Sequence, residues 1–208
     1  GLTGYLRPLL EAHDVHAVDS FLLEFYGRTE AALQAGAYRP YREVLEGVLV
    51  ALADRLGFHP TEEAIAGFPD SVANWLPFPD TIAALKALGR RFQLVVISNI
   101  DDELFDLTQA RLGINFDHVV TAGQVKAYKP DPRMFEEATR RIGLPKTRIL
   151  HVAQSLYHDI APASALGYDT VWIDRHDGDG GGATTPAQAT PTWTLRSLSE
   201  LVEALEPG

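Results

Sequence analysis

The stretch Arg91 to Asp102, RFQLVVISNIDD, constrains the fold more than any other part of this chain. Phe92 to Ile97 are apolar or β-branched apart from Gln93, a run too short for a core helix and without the alternation of a half-exposed strand. It predicts a fully buried parallel strand over Phe92–Ile97. Such strands need helical crossovers that cover both sheet faces, which places the chain among α/β folds. The run stops at Ser98 and Asn99, a hydroxyl and a carboxamide at the carboxyl edge of the sheet. That edge is the crevice where open α/β sheets bind their ligands.

The segments around this strand fall into two regimes. Over residues 1–75 apolar residues recur every three to four positions: Leu6, Leu9 and Leu10; Phe21, Leu22, Phe25, Ala32 and Leu33; then Val44, Leu45, Val48, Leu49, Leu52 and Leu56. This predicts an all-helical domain, with Gly36 and Gly57 closing its second and third helices. NWLPFPD, 74–80, marks the junction to a second domain over 76–208. There helices and strands alternate. Asp80 is expected to cap a helix to Leu88, Asp102–Leu112 to be helical, and His118–Ala122 to be a strand. Asp131 and Pro132 open a further helix that ends near Gly143. Arg148–Ala153 and Thr170–Ile173 read as strands flanking a helix from Ile160 to Leu166. Asp177–Pro191, rich in glycine and polar residues, reads as a mobile surface loop. Thr192–Leu195 reads as an edge strand, and Ser197 with Glu200 as a capping box. The expected architecture is α/β: a doubly wound parallel sheet with an N-terminal all-helical domain.

Composition excludes several classes of partner. The 208 residues carry a formal charge of −10 with a pI near 5.1, and no Lys/Arg run breaks that acidity. Nucleic acid and anionic membrane are therefore not expected as partners. The absence of cysteine removes disulfides, thiolate–zinc sites and thiol nucleophiles, and fits a cytoplasmic location. No apolar run reaches membrane-span length, and no signal-peptide pattern opens the chain.

Three polar clusters fall at strand ends or just beyond them: Ser98-Asn99 with Asp101-Asp102; Lys129-Pro130-Asp131-Pro132; and Gln154-Ser155 with His158-Asp159. Each has a bland reading. Ser98-Asn99 can be a turn and cap, the Lys129 segment a solvated helix start, and Asp159 the cap of the helix carrying Pro162. Their order on one α/β chain argues for a shared rim.

With these residues in place, the sequence resembles the haloacid dehalogenase superfamily, and more closely its type II branch. The match runs through VVISNIDD, FDHVVTAGQVKAYKPDPRMF, ILHVAQSLYHDIAPASALG and TVWIDR, with residues 1–75 in the place of that branch's cap domain. The resemblance implies a hydrolase that acts on a small carboxylate through an aspartyl ester. The nucleophilic aspartate would end a first core strand that this sequence does not contain, and that strand is expected upstream of Gly1. By the same resemblance Ser98 bonds the substrate carboxylate or nucleophile, and Asn99 offers its amide to the departing halide. Lys129 keeps the nucleophile ionised, Asp159 orients Lys129 and positions the hydrolytic water, and Arg28 is the cap arginine for halide or substrate. No cofactor and no metal are expected, the partner is a small-molecule substrate, and a homodimer is compatible with the family. Phe135, Gln154 and Leu156 depart from the dehalogenase pattern, which carries tyrosine or polar residues there. His158 adjoins Asp159 and could act as a base, but it reads, as does His151, rather as a structural or surface histidine. A magnesium-dependent phosphatase of the same superfamily, a non-catalytic binding module and an obligate interaction protein are the competing readings. At the position where such phosphatases bring an acid to the metal, this chain has Gln154.

Overall fold

In the computed structural model, residues 1–175 and 187–206 are described; most of the expected loop Asp177–Pro191 lies outside them. The chain divides into two units, one formed by residues 1–76 with 100–111, the other by 77–99 with 112–175 and 187–206.

The first unit is helical, as its periodicity dictates. It contains α1 (Leu2–Ala12), α2 (Asp19–Gln34), α3 (Tyr41–Leu56), α4 (Glu62–Asp70), a 3₁₀ turn (Ser71–Asn74) and all but the last residue of α6 (Asp102–Leu112). Leu2, Leu6 and Leu10 form one buried stripe of α1, and Val44, Leu45, Val48, Leu49 and Leu52 line the buried side of α3. Each of these side chains contributes about 1.5–3 kcal/mol by leaving water. Gly57 closes α3 in the left-handed conformation, whereas α2 ends at Gln34 and the left-handed residue Gly36 follows two positions later. A polar group is buried in the same unit: Glu30 accepts hydrogen bonds from Tyr41 (2.6 Å) and Tyr26 (3.0 Å). Burial pushes the Glu30 carboxyl up, and the two phenols partly offset this.

The start of α3 depends on a residue distant in sequence. Its N-cap, Pro40, has no side-chain acceptor, and the Asp101 carboxylate takes over by accepting from Arg42 N (2.9 Å) and from the Tyr38 hydroxyl (3.1 Å). Asp101→Ala is expected to cost about 1 kcal/mol, the usual worth of a cap. A denaturant midpoint equal to wild type would remove Asp101 from this role.

The second unit carries β1 (Val95–Ser98), β2 (His118–Thr121), β3 (Leu150–Ala153), β4 (Asp169–Ile173) and β5 (Trp193–Leu195), all parallel. Around them lie α5 (Thr81–Leu88), α7 (Ala122–Val125), α8 (Pro132–Ile142), α9 (Ala161–Ala165) and α10 (Leu198–Ala204). Asp131 caps α8 through Arg133 N (2.9 Å), and Gly143 ends it in the left-handed conformation, as the sequence predicts. Asp80 does not cap α5. Its carboxylate instead accepts from Leu198 N (2.8 Å) and pairs with Arg175.

Among the described residues the parallel strands form two sheets, β1–β2 and β3–β4–β5, the gap expected where a first core strand is not part of the sequence. Between them runs an apolar trough of about 880 Å³, flanked by Gln93, Leu94 and Val95 on one side and Ile149, Leu150 and Val152 on the other. This corrects the expectation for the Phe92–Ile97 strand. The strand begins only at Val95, because Gly89–Phe92 continue the turns of α5, with Arg91 N and Phe92 N both donating to Leu88 O. It is half-buried rather than fully buried, and Phe92 is exposed. β1 and β3 each have a ladder partner on one edge alone, so their other edges border the trough.

Candidate active site

The groups named from the sequence converge where β1 and β3 end. Asn99, the first residue after β1, grips the backbone of Lys129: its Oδ1 accepts from Lys129 N (2.6 Å) and its Nδ2 donates to Lys129 O (3.1 Å). This is the pairing a neighbouring strand would make, supplied by a carboxamide. It fixes the stem of Lys129, whose ammonium donates to Ile97 O (2.8 Å) and to Asp159 Oδ1 (2.8 Å). The two side chains are only 11% and 9% exposed. Ser98 is the last residue of β1, half-buried and in register with Thr121 of β2.

Asp159 is presented by a π-helical turn, Leu156–Ile160, a geometry frequent at functional sites. The expected alternative, Asp159 as the helix cap, does not hold. The turn is capped by Ser155, whose Oγ accepts from His158 N (3.0 Å). Asp159 Oδ1 receives a second hydrogen bond from His151 Nε2 of β3 (3.1 Å). Burial alone would push the Asp159 carboxyl up. The Lys129 ammonium and the His151 hydrogen bond outweigh it and hold the carboxyl well below the usual carboxylate range. His158, buried with Nδ1 3.3 Å from Ser155 Oγ, is shifted the other way for a base: burial and then the Lys129 charge lower it, so it is neutral at pH 7. The surroundings thus separate a permanent carboxylate from a neutral imidazole one residue apart.

Arg28 is not bonded to this cluster. It belongs to the helical unit, where its guanidinium pairs with Glu24 (2.8 Å) and its side chain is 80% exposed. The backbone carbonyl of Gln154 accepts from Trp172 Nε1 (2.9 Å). Phe135 is buried and meets the His151 ring edge-on at 5.3 Å between centroids. From the sequence Ser155 belongs to the third polar cluster, whereas His151 has no assigned part in the site. A histidine inside the apolar strand ILHVA was the available signal, since a buried imidazole requires a partner. Neither Lys129 nor Asp159 lines the trough between the sheets, so that cavity is not where the polar groups meet.

Known proteins resemble this chain over most of its length. A family model described as haloacid dehalogenase-like hydrolase matches residues 5–167. The (S)-2-haloacid dehalogenase of Pseudomonas putida is 30% identical over 171 residues, covering 80% of this chain and 72% of that protein. A pyrimidine 5'-nucleotidase of Escherichia coli (strain K12) is 26% identical over 166 residues, covering 78% and 72%. The solved L-2-haloacid dehalogenase of Xanthobacter autotrophicus with chloropropionic acid covalently bound has a TM-score of 0.83 at 15% identity. It covers 99% of this chain and 93% of that one, and shows the shared fold. A match over most of the chain, together with a relative at this identity, makes the chain a member of the haloacid dehalogenase-like hydrolase family.

Proposed function

We propose that the chain serves in hydrolysis of a small 2-haloacid, with the attacking carboxylate borne at the carboxyl end of a further strand seated in the trough between β1 and β3. The observation that carries this reading is the Lys129–Asp159 pair, buried at the rim where the two sheets part. A carboxylate ending a strand in that trough would emerge beside the Lys129 ammonium, which keeps it ionised. Its oxygen attacks C2 of the substrate, the carbon–halogen bond breaks with its electron pair leaving on the halide, and an ester forms. Water then cleaves the ester, releasing the 2-hydroxyacid, a proton and the regenerated carboxylate. Asp159 positions that water, Ser98 bonds the substrate carboxylate, Asn99 turns its amide toward the halide besides holding Lys129, and Arg28 is the cap arginine for the substrate. The named haloacid dehalogenase relatives support this choice of substrate class.

The nucleotidase relative favours a second reading, a phosphatase, for which the superfamily resemblance implies magnesium. The donor set does not fit that ion. Asp159 Oδ1 already accepts from Lys129 and His151, Gln154 brings a neutral carboxamide in place of a carboxylate, and both oxygens of Asp101 serve Tyr38 and Arg42. A hard cation needs several free anionic oxygens.

The deciding measurement uses the protein carrying the proposed strand, encoded in its own reading frame. Release of halide from a 2-haloacid and of phosphate from an aryl phosphate is followed with chelator and with added magnesium. Halide release that is unchanged by chelator is expected. Phosphate release that requires magnesium, without halide release, would replace this reading by the second.

A further inference from the structure

Asp159 Oδ1 is shared by two donors of different kinds, and only one of them, Lys129, belongs to the reaction just described. The other, His151, is half-buried on β3, with a side chain 12% exposed. An ionised carboxylate accepts hydrogen bonds and donates none, so the contact at 3.1 Å requires the proton on Nε2 of the ring. Phe135, fully buried on α8, meets this ring edge-on and limits its rotation. Together these contacts determine how the carboxylate is turned: both hydrogen bonds fall on Oδ1, and Oδ2 stays outside them.

We propose that His151 is a positioning residue for the acid site, donating from Nε2 to Oδ1 so that Asp159 presents Oδ2 to the hydrolytic water. The proposal rests on the function proposed above for its consequence in turnover, but not for the interaction itself. Lys129 alone could hold Oδ1 while the carboxyl group rotated about its bond to Cβ. A second donor, from a strand on the far side, removes that freedom, and Phe135 keeps the donor itself in place. The charged or titratable groups acting on Asp159 among the described residues are Lys129, His151 and the neighbouring His158. Of these His151 is the one whose replacement changes hydrogen bonding to the carboxylate without removing the lysine charge.

The test follows the Asp159 side-chain carboxyl by ¹³C resonance as pH is lowered, in wild type, His151→Phe and His151→Gln. Loss of the donor in His151→Phe should raise the midpoint by about one unit, tenfold in proton affinity. His151→Gln, whose amide can donate from nearly the same place, should restore most of it. Loss of packing alone would move unfolding midpoints and leave the carboxyl titration where it was. An unchanged midpoint in His151→Phe, or a glutamine variant that behaves like phenylalanine, would overturn the proposal. Should the phenylalanine variant fail to fold, ¹⁵N spectra of wild type decide: a protonated Nε2 at neutral pH is expected, and an unprotonated one overturns it. Neither readout involves substrate. A chain inactive on 2-haloacids with a displaced midpoint would therefore refute the substrate class and retain the role of His151.

Discussion

Asp159→Asn is expected to lower the free energy of unfolding by about 3–5 kcal/mol at pH 7, the usual result of breaking a buried ion pair by removing one partner. The substitution preserves shape, so no cavity contributes. What remains is the Lys129 ammonium, 11% exposed, with Ile97 O as its other acceptor and no anion beside it. The pH dependence separates this from a packing effect. The Asp159 carboxyl is depressed in the folded protein, so its contribution is fully present above the unfolded-state value of about 3.9 and is lost as pH falls through the folded value. His158 is depressed as well but is a base: the unfolded chain takes up its proton first, near pH 6.5, which lowers stability as pH falls there. Glu30, raised by burial, acts in the opposite sense and loses stability as pH rises above its unfolded value. Glu30 is present in both proteins and cancels in their difference. His158 does not cancel, because the Asp159 charge raises it in the wild type alone; the difference between the wild-type and variant curves should therefore widen as pH falls below about 6.5 and narrow below about pH 4. A loss under about 1 kcal/mol at pH 7, or a difference that persists undiminished at the acid end, would show that the pair does not hold the fold in this way.

The elements that local chemistry determines were legible in the sequence, and those that depend on a neighbour in space were not. Asp131 before Pro132 and Gly143 after Ile142 specify both ends of α8 within a few residues, and the structure has both. The ordered clusters at Asn99, Lys129 and Asp159 were legible because each follows a strand, and parallel strands end on one side. Burial was another matter. The run QLVVI reads as an interior strand because its side chains are apolar, but burial belongs to the sheet, and β1 has a partner on one edge only. Asp80 and Asp101 show the same limit from the polar side. Asp80 stands where a cap is expected, yet bonds Leu198 and Arg175, while Asp101 caps a helix that begins 60 positions earlier in the sequence. A carboxylate's sequence neighbours do not reveal which orphan amide it will meet. His151 was passed over for that reason: its partner is eight residues on, reached only after β3 ends and the π-helical turn folds Asp159 back.

Lys129→Met, in the protein with the proposed strand in place, is expected to reduce turnover of a 2-haloacid by about 10²–10³-fold, the effect of removing a preorganised electrostatic donor from a site shielded from water. Methionine keeps the length and apolar stem of lysine, so the clamp that Asn99 makes on the backbone of residue 129 persists. What disappears is a positive charge 2.8 Å from Asp159, at the point where the attacking carboxylate would have to remain ionised. Lys129→Arg should not rescue the rate. The ammonium is a compact donor between Ile97 O and Asp159 Oδ1, each 2.8 Å away, and a planar guanidinium cannot occupy that space without moving one of them. Rapid mixing with excess protein locates the fault: ester formation should be slow in both variants, while hydrolysis of any ester that forms is less affected. If Asp159 alone governed the chemistry the order would be reversed, with rapid ester formation and slow release. Wild-type turnover in a folded Lys129→Met protein would take the lysine out of the reaction and leave the pair as a structural ion pair at the rim of the sheet.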